Sequence, residues 1–257
     1  MSNRLIDLRI EDKRFQARQV IADVTFHVDQ GEIVALVGPS GCGKSTLLRI
    51  IAGLDTDYTG RVEVLGAPPR HQPEAVGLVF QEPRLLPWLT VADNVGFAAG
   101  RRGGKHPYVR ELLAEVGLSD YADAYPKQLS GGMAQRAAIA RGLFTQPTLL
   151  LLDEPFSAVD AFTRMRLQDL LLSLAERHGT TLLLVTHDIG EAVYLSDRVV
   201  VLASHPGRLS GEVAISLARP RDRHGAALSR LEGEALGFLG GPGSPPGREP
   251  APRLALV

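Results

Sequence analysis

The sequence predicts an α/β fold: a parallel β-sheet covered by helices on both faces, joined to an N-terminal region of antiparallel strands. Three observations carry this. Short apolar runs that stop abruptly at Gly, Asp or Thr read as strands buried on both faces. Segments with apolar residues at helical spacing separate those runs, and such alternation implies parallel pairing. Residues 5–28 carry no helix signal and read as antiparallel strands instead.

Residues 32–37 form the first apolar strand, closed by Gly38 and Pro39. Leu47, Leu48, Ile50, Ile51 and Leu54 then fall at helical spacing, with Gly53 and Asp55 marking the end. Gly60 opens a strand over 61–65, and 77–80 reads as another. Residues 83–126, rich in Gly, Arg and Pro, read as loops and helix-like patches. Ser130 is placed to cap a helix running toward Phe144. Leu149–Leu152 is a buried strand; Leu167, Leu170, Leu171 and Leu174 line the next helix, which Gly179 ends. Strands at 182–185 and 199–202 flank a helix-like 191–195. Residues 237–257 hold five glycines and five prolines and read as disordered.

At 257 residues, the length prior of ~150 per domain gives roughly 1.7, so one large domain or two small ones. Hydrophobic residues at 44% and charged residues at 22% match an ordinary globular chain. No apolar run approaches the ~18 residues of a membrane-spanning helix. The charged start MSNRLIDLRIEDKRF has no signal-peptide core, and a single cysteine, Cys42, fits a reducing, cytoplasmic setting. A net charge of −1, from 28 basic and 29 acidic residues, argues against a dedicated nucleic-acid binder.

The chemistry starts at Gly38-Pro39-Ser40-Gly41-Cys42-Gly43-Lys44-Ser45-Thr46, which fits G-x-x-x-x-G-K-[ST] between a strand and a helix. Glycines there let backbone N–H groups turn inward around phosphate, and the helix N-terminus adds a favourable dipole. Lys44 reaches the β- and γ-phosphates, and the Ser45 hydroxyl is placed for Mg²⁺. The same positive setting predicts a Cys42 that favours thiolate and whose alkylation blocks nucleotide. Asp153 and Glu154 emerge together at the end of a strand, a costly pair unless a cation is near. Asp153 then serves the metal, and Glu154 polarises water. Gln81 and His187 follow two other strands, and ligands bind beyond the C-terminal ends of parallel strands. Gly38, Gln81, Asp153 and His187 are therefore expected along one crevice. Ser130-Gly131-Gly132 is a second phosphate cradle, a Ser cap with glycines at a helix start. One triphosphate already has its loop, so this second end suits the nucleotide of another chain.

Together these residues resemble the ATP-binding subunit of ABC transporters over about 1–225. GPSGCGKST (38–46) matches Walker A, Gln81 the Q-loop, LSGGM (129–133) the signature and LLLLDE (149–154) Walker B. SAVD (157–160) matches the D-loop, ending at Asp160, and His187 the switch histidine. QEPRLLPWLTVADNV, YPKQLSGGMAQR and LDEPFSAVDAFTR look like the nitrate/sulfonate/taurine importer branch, in which Met133 at the end of the signature is familiar. Phe15 lies where the family places an aromatic against adenine, the alternative being an ordinary packed side chain. Trp88 lies in the segment that would meet a membrane subunit, with core packing as its alternative.

The resemblance implies a P-loop NTPase (RecA-like) core over 1–82 and 146–235, with an N-terminal antiparallel β-subdomain. It implies an inserted α-helical subdomain over 83–145, and leaves 236–257 as a disordered tail. The chain ends too soon after Arg223 for a further regulatory domain. It also implies a head-to-tail dimer that sandwiches two ATP between Walker A of one copy and Ser130 to Gly132 of the other. Glu154 would be the base, His187 a γ-phosphate contact, and Ser45, Gln81 and Asp153 the Mg²⁺ set. Permease subunits and, indirectly, a solute-binding protein would be partners, at the cytoplasmic face of the inner membrane. A non-transport ATPase of DNA repair or translation is the alternative: the first needs a long coiled coil, the second two ATPase units, and neither is read here. The solute is open among sulfonates, nitrate, taurine, and vitamin-precursor or bicarbonate-type solutes.

Overall fold

A computed structural model describes residues 3–204 and 206–239. The chain runs β1 (Arg4–Phe15), β2 (Arg18–Asp29), β3 (Ile33–Val37), α1 (Lys44–Ile51), β4 (Thr59–Val64) and β5 (Val76–Val79). Then come α2 (Val91–Val95), α3 (Pro107–Glu115), α4 (Gly131–Leu143), β6 (Leu149–Asp153) and α5 (Ala161–His178). β7 (Thr181–Thr186), α6 (Ile189–Leu195), β8 (Arg198–Ala203), β9 (Arg208–Ala214) and α7 (Ala226–Leu239) complete it.

Two sheets form. β2-β1-β4 is antiparallel, as read for the N-terminal region. The larger sheet has the order β5-β6-β7-β3-β8-β9, parallel except for β9. Its strands divide their apolar residues between two cores. Val34, Leu36, Leu149, Leu151, Leu183 and Val185 pack with Ile6, Leu8 and Ile10 of β1 and with α1. Ala35, Val37, Leu150, Leu152, Leu182 and Leu184 pack with α4, α5 and α6 on the other face. Alternate side chains of a strand point to opposite faces, so a run of unbroken leucine serves both cores at once.

The register aligns the strand ends. Val79 stands opposite Leu152, Asp153 opposite Val185, and Val37 opposite Thr186. The C-terminal ends of β5, β6, β7 and β3 therefore share one edge, and the residues that follow them, Gln81, Glu154, His187 and Gly38, sit along it.

Several expectations shift. Leu54 lies beyond α1, which stops at Ile51, and is exposed. The helix expected from residue 191 starts at Ile189, because Asp188 caps it by accepting from the Glu191 N–H at 3.0 Å. Residues 236–239 belong to α7 and not to a disordered tail; Leu228, Leu231 and Ala235 bury one face of that helix. The remaining tail, 240–257, lies outside the described residues. β9 has only Val213 buried, so it lacks the apolar run by which the other strands were read. Among the described residues no helix is long and apolar enough to cross a membrane.

Candidate active site

The phosphate loop leaves β3 at Gly38 and enters α1 at Lys44. Gly43, the N-cap of α1, has φ +96°, and a Cβ there would lie 2.9 Å from Ile21 Cγ1 of β2. Only glycine fits both the left-handed backbone and the approach of the β1–β2 hairpin. Lys44 is buried, and its Nζ donates to the Gly38 carbonyl at 2.7 Å and the Pro39 carbonyl at 3.2 Å. The ammonium thus lies curled inside its own loop. Ser45 Oγ donates to Asp153 Oδ1 at 2.8 Å, which joins two motifs 108 residues apart.

Asp153 is half-buried, and burial raises its carboxyl above the usual range, opposed by the Ser45 hydroxyl and assisted by the Glu154 charge. Glu154 has φ +45°, a left-handed conformation rare outside glycine. The Glu154 N–H to Val185 carbonyl bond of 2.8 Å holds it there and turns its side chain off the line of β6. Glu154 Oε2 lies 3.0 Å from His187 Nδ1, and the histidine ring is mostly exposed. A carboxylate and an imidazole in contact, one residue past an acid–hydroxyl pair, can orient water beside a phosphate.

Behind that pair lies a cavity of about 40 Å³ lined by Ser157, Arg164, Thr186, Asp188 and Glu191. Arg164 Nη1 is 3.6 Å from Asp188 Oδ2, and Gln168 donates to Glu191 at 3.4 Å. Burial, with Asp188 adding to it, pushes the Glu191 carboxyl up to about 7. Sequence reasoning missed these supports because no spacing rule links residues 164, 188 and 191. A much larger cavity, about 930 Å³, is lined by Gly31, Ile33, Asp197 and Pro220 at the opposite ends of the strands, away from these groups.

The helix cap expected at Ser130 forms. Ser130 caps α4, accepting from Met133 N–H at 3.3 Å, and is exposed with Gly131. A Cβ at Gly132 would fall 2.5 Å from Thr163 Cγ2 of α5, so this glycine lets two helices approach. Asp160 caps α5 through Thr163 N–H at 3.0 Å, and the Thr163 hydroxyl together with that N–H lowers its carboxyl. Ser130 and Asp160 thus stand at neighbouring, exposed helix starts. Gln81 is exposed at the sheet edge, and no described hydrogen bond joins it to Ser45 or Asp153. Phe15 is 48% exposed and Trp88 70%, so neither is an ordinary packed side chain.

One expectation fails. Cys42 has no exposed surface and packs with Leu47, Leu48 and Ile21 in the core beneath the loop. Burial pushes its thiol up, outweighing the nearby Lys44. The Cys42 side chain turns into the core, so the thiol stays protonated and shielded from maleimide. The placement of the loop at β3 stands; only the side-chain direction was misread.

The family model for ABC transporters matches residues 21–157. The chain belongs to the ABC transporter family. Aliphatic sulfonates import ATP-binding protein SsuB 2 of Burkholderia lata is 60% identical over 232 residues, which are 90% of this chain and 85% of that protein. A protein of the same name from Pseudomonas syringae pv. tomato is 59% identical over 231 residues, 90% of this chain and 96% of the relative. Among solved structures, CbiO1 of Clostridium perfringens, part of the ABC transporter complex CbiONQ, superposes with a TM-score of 0.75. It covers 91% of this chain and 93% of its own at 24% identity, a likeness of fold. The P-loop ABC ATPase fold read from the motifs is therefore correct, and the chain binds ATP.

Proposed function

We propose that this ABC ATPase energises the uptake of aliphatic sulfonates. Its membrane partners would be permease subunits, and it would work as a head-to-tail pair at the cytoplasmic face of the membrane. The observation that carries the solute class is the 56–60% identity to import proteins named for aliphatic sulfonates over about nine-tenths of the chain. The same relatives leave the alternative of a DNA-repair or translation ATPase without support.

In this reading the N–H groups of Gly38 to Thr46 and the Lys44 ammonium bind the β- and γ-phosphates. Lys44 exchanges its two loop carbonyls for phosphate oxygens. Among the described residues no group of three His, Cys, Asp or Glu side chains could hold a metal alone. The hydroxyl–carboxylate donors Ser45 and Asp153 fit Mg²⁺, which takes few protein ligands and completes its shell with phosphate and water. Gln81 would join them. When bound, Mg²⁺ neutralises charge on the phosphates. Glu154 accepts the proton of the attacking water, and His187, oriented by Glu154, contacts the γ-phosphate. Phe15 stacks on adenine. Ser130, Gly131 and Gly132, with Asp160, face the nucleotide of the second copy, and a solute-binding protein delivers the sulfonate from outside.

A deletion strain tests the solute. Loss of growth on alkanesulfonates as sole sulfur source, with growth on sulfate intact, is expected. Restoration by the natural chain but not by Glu154→Gln ties uptake to hydrolysis. Unchanged growth on unsubstituted alkanesulfonates, with a defect instead on taurine as sulfur source or on nitrate as nitrogen source, would reassign the solute.

A further inference from the structure

The end of β1 holds a buried charge under an exposed ring. Lys13 has a side chain 1% exposed, while Phe15, two residues on, is 48% exposed. Lys13 Nζ donates to Asp55 Oδ1 at 2.8 Å and to the Asp57 carbonyl at 2.6 Å, with Asp57 Oδ2 at 3.5 Å. The same nitrogen stands 4.6 Å from the centroid of the Phe15 ring. Its acceptors lie in the segment just after α1, the helix that begins at Lys44.

Burying an ammonium is costly even when it is paired, and an apolar side chain of similar length would fill this space without that cost. A tie between β1 and the end of α1 accounts for Asp55 and Asp57 but not for the ring. Phe15 is the last residue of its strand, before a turn in which Gln16 has φ +55°. With half its surface in solvent, packing alone does not fix the ring plane. A cation held by two short hydrogen bonds does, because its attraction is to the ring face and not the edge. The hairpin also lies against the phosphate loop: Lys13 pairs with Ile21, and Ile21 is the residue that meets Gly43.

We propose that Lys13 is a positioning residue for base recognition: its anchored ammonium holds the Phe15 ring by one face and leaves the other for the adenine of ATP. The proposal rests on the reading of Phe15 as the adenine-stacking residue. Through Asp55 it ties the base platform to the helix that carries the phosphate loop, so base and phosphate subsites keep a set separation.

The test compares a ligand with a base and one without. Dissociation constants for MgATP and for inorganic tripolyphosphate with Mg²⁺ are measured by titration calorimetry on the full chain. Lys13→Met is expected to weaken ATP about three- to tenfold and leave tripolyphosphate within about twofold. In a Phe15→Ala background the same substitution is expected to add nothing, since the ring it acts through is gone. If Phe15→Ala leaves ATP affinity unchanged, the stacking reading falls and this proposal with it. If Phe15→Ala weakens ATP but Lys13→Met does not, or weakens both ligands alike, the positioning role alone is overturned. Should Lys13→Met fail to fold, Asp55→Asn, which loosens the ammonium in place, decides by the same two ratios.

Discussion

Glu154 and Glu191 show two uses of a carboxylate within one corner of the molecule. Glu154 lies half-buried at 3.0 Å from His187, where it can act on water. Glu154→Gln keeps the shape and the phosphate contacts but cannot accept a proton. Turnover is expected to fall by ~10² to 10⁴ with ATP binding retained. Steady-state hydrolysis close to that of the natural chain would remove Glu154 from the role of base. Glu191 is buried, and its carboxyl is raised from 4.5 to about 7. Between those values the folded chain holds a proton that the unfolded chain releases, so stability falls as pH rises through this window. The full loss, on the order of 3 kcal/mol, is reached above about pH 7. Glu191→Gln lacks this dependence. Its melting temperature should gain on the natural chain from pH 5 to about pH 7 and level off above that, and parallel profiles from pH 5 to pH 7 would contradict the assignment.

At the scale of elements, the role proposed for Ser130 toward a second copy falls on a residue that also caps α4. Ser130 caps the helix, and removing such a cap costs about 1 kcal/mol. Aspartate caps as well as serine does, yet it would set a negative charge against the phosphates of the second copy. Ser130→Asp is therefore expected to melt within about two degrees of the natural chain while hydrolysis drops at least about tenfold. Serine and aspartate are equivalent as caps, so a Ser130→Asp variant that stays active would leave Ser130 with the cap alone. α4 also holds the segment after Gln81: Arg141 donates to the Pro83 and Arg84 carbonyls at 2.8 Å each. These two bonds join the segment after Gln81 directly to the helix that begins at the signature.

For the whole molecule the question is whether sites are completed in trans. The loop at Gly38 to Thr46 and the start of α4 at Ser130 are two separate glycine-rich helix starts, and Ser130 is exposed, as is Asp160 at the start of α5. Ser130→Arg and Lys44→Ala proteins should each be inactive alone. Mixed, they form dimers in which one composite site is intact and the other doubly broken. Activity of the mixture is expected to rise above both parents, up to about a quarter of the natural enzyme for random pairing of independent sites. A mixture that only averages its parents would count against the trans arrangement.

Much of this was legible in the residues. β3, β6, β7 and β8 were readable because strands buried on both faces need apolar side chains at every position, a demand that leaves an unbroken run. The motifs at 38–46, 129–133 and 149–154 were readable because phosphate chemistry requires glycine, lysine and acid at set spacings next to a strand or helix end. Local geometry sets those spacings, so they survive in one dimension. Three-dimensional packing decided the rest. Cys42 points into the core because the hairpin and α1 close over it, and no residue beside it in the chain carries that information. β9 buries only Val213 and so leaves no period, while α7 buries Leu228, Leu231 and Ala235 at helical spacing; both pack against β8, and α7 against α6 as well. Lys13, 42 residues from Asp55 and buried against it, is invisible as a charged residue in a strand until the fold brings both to one place.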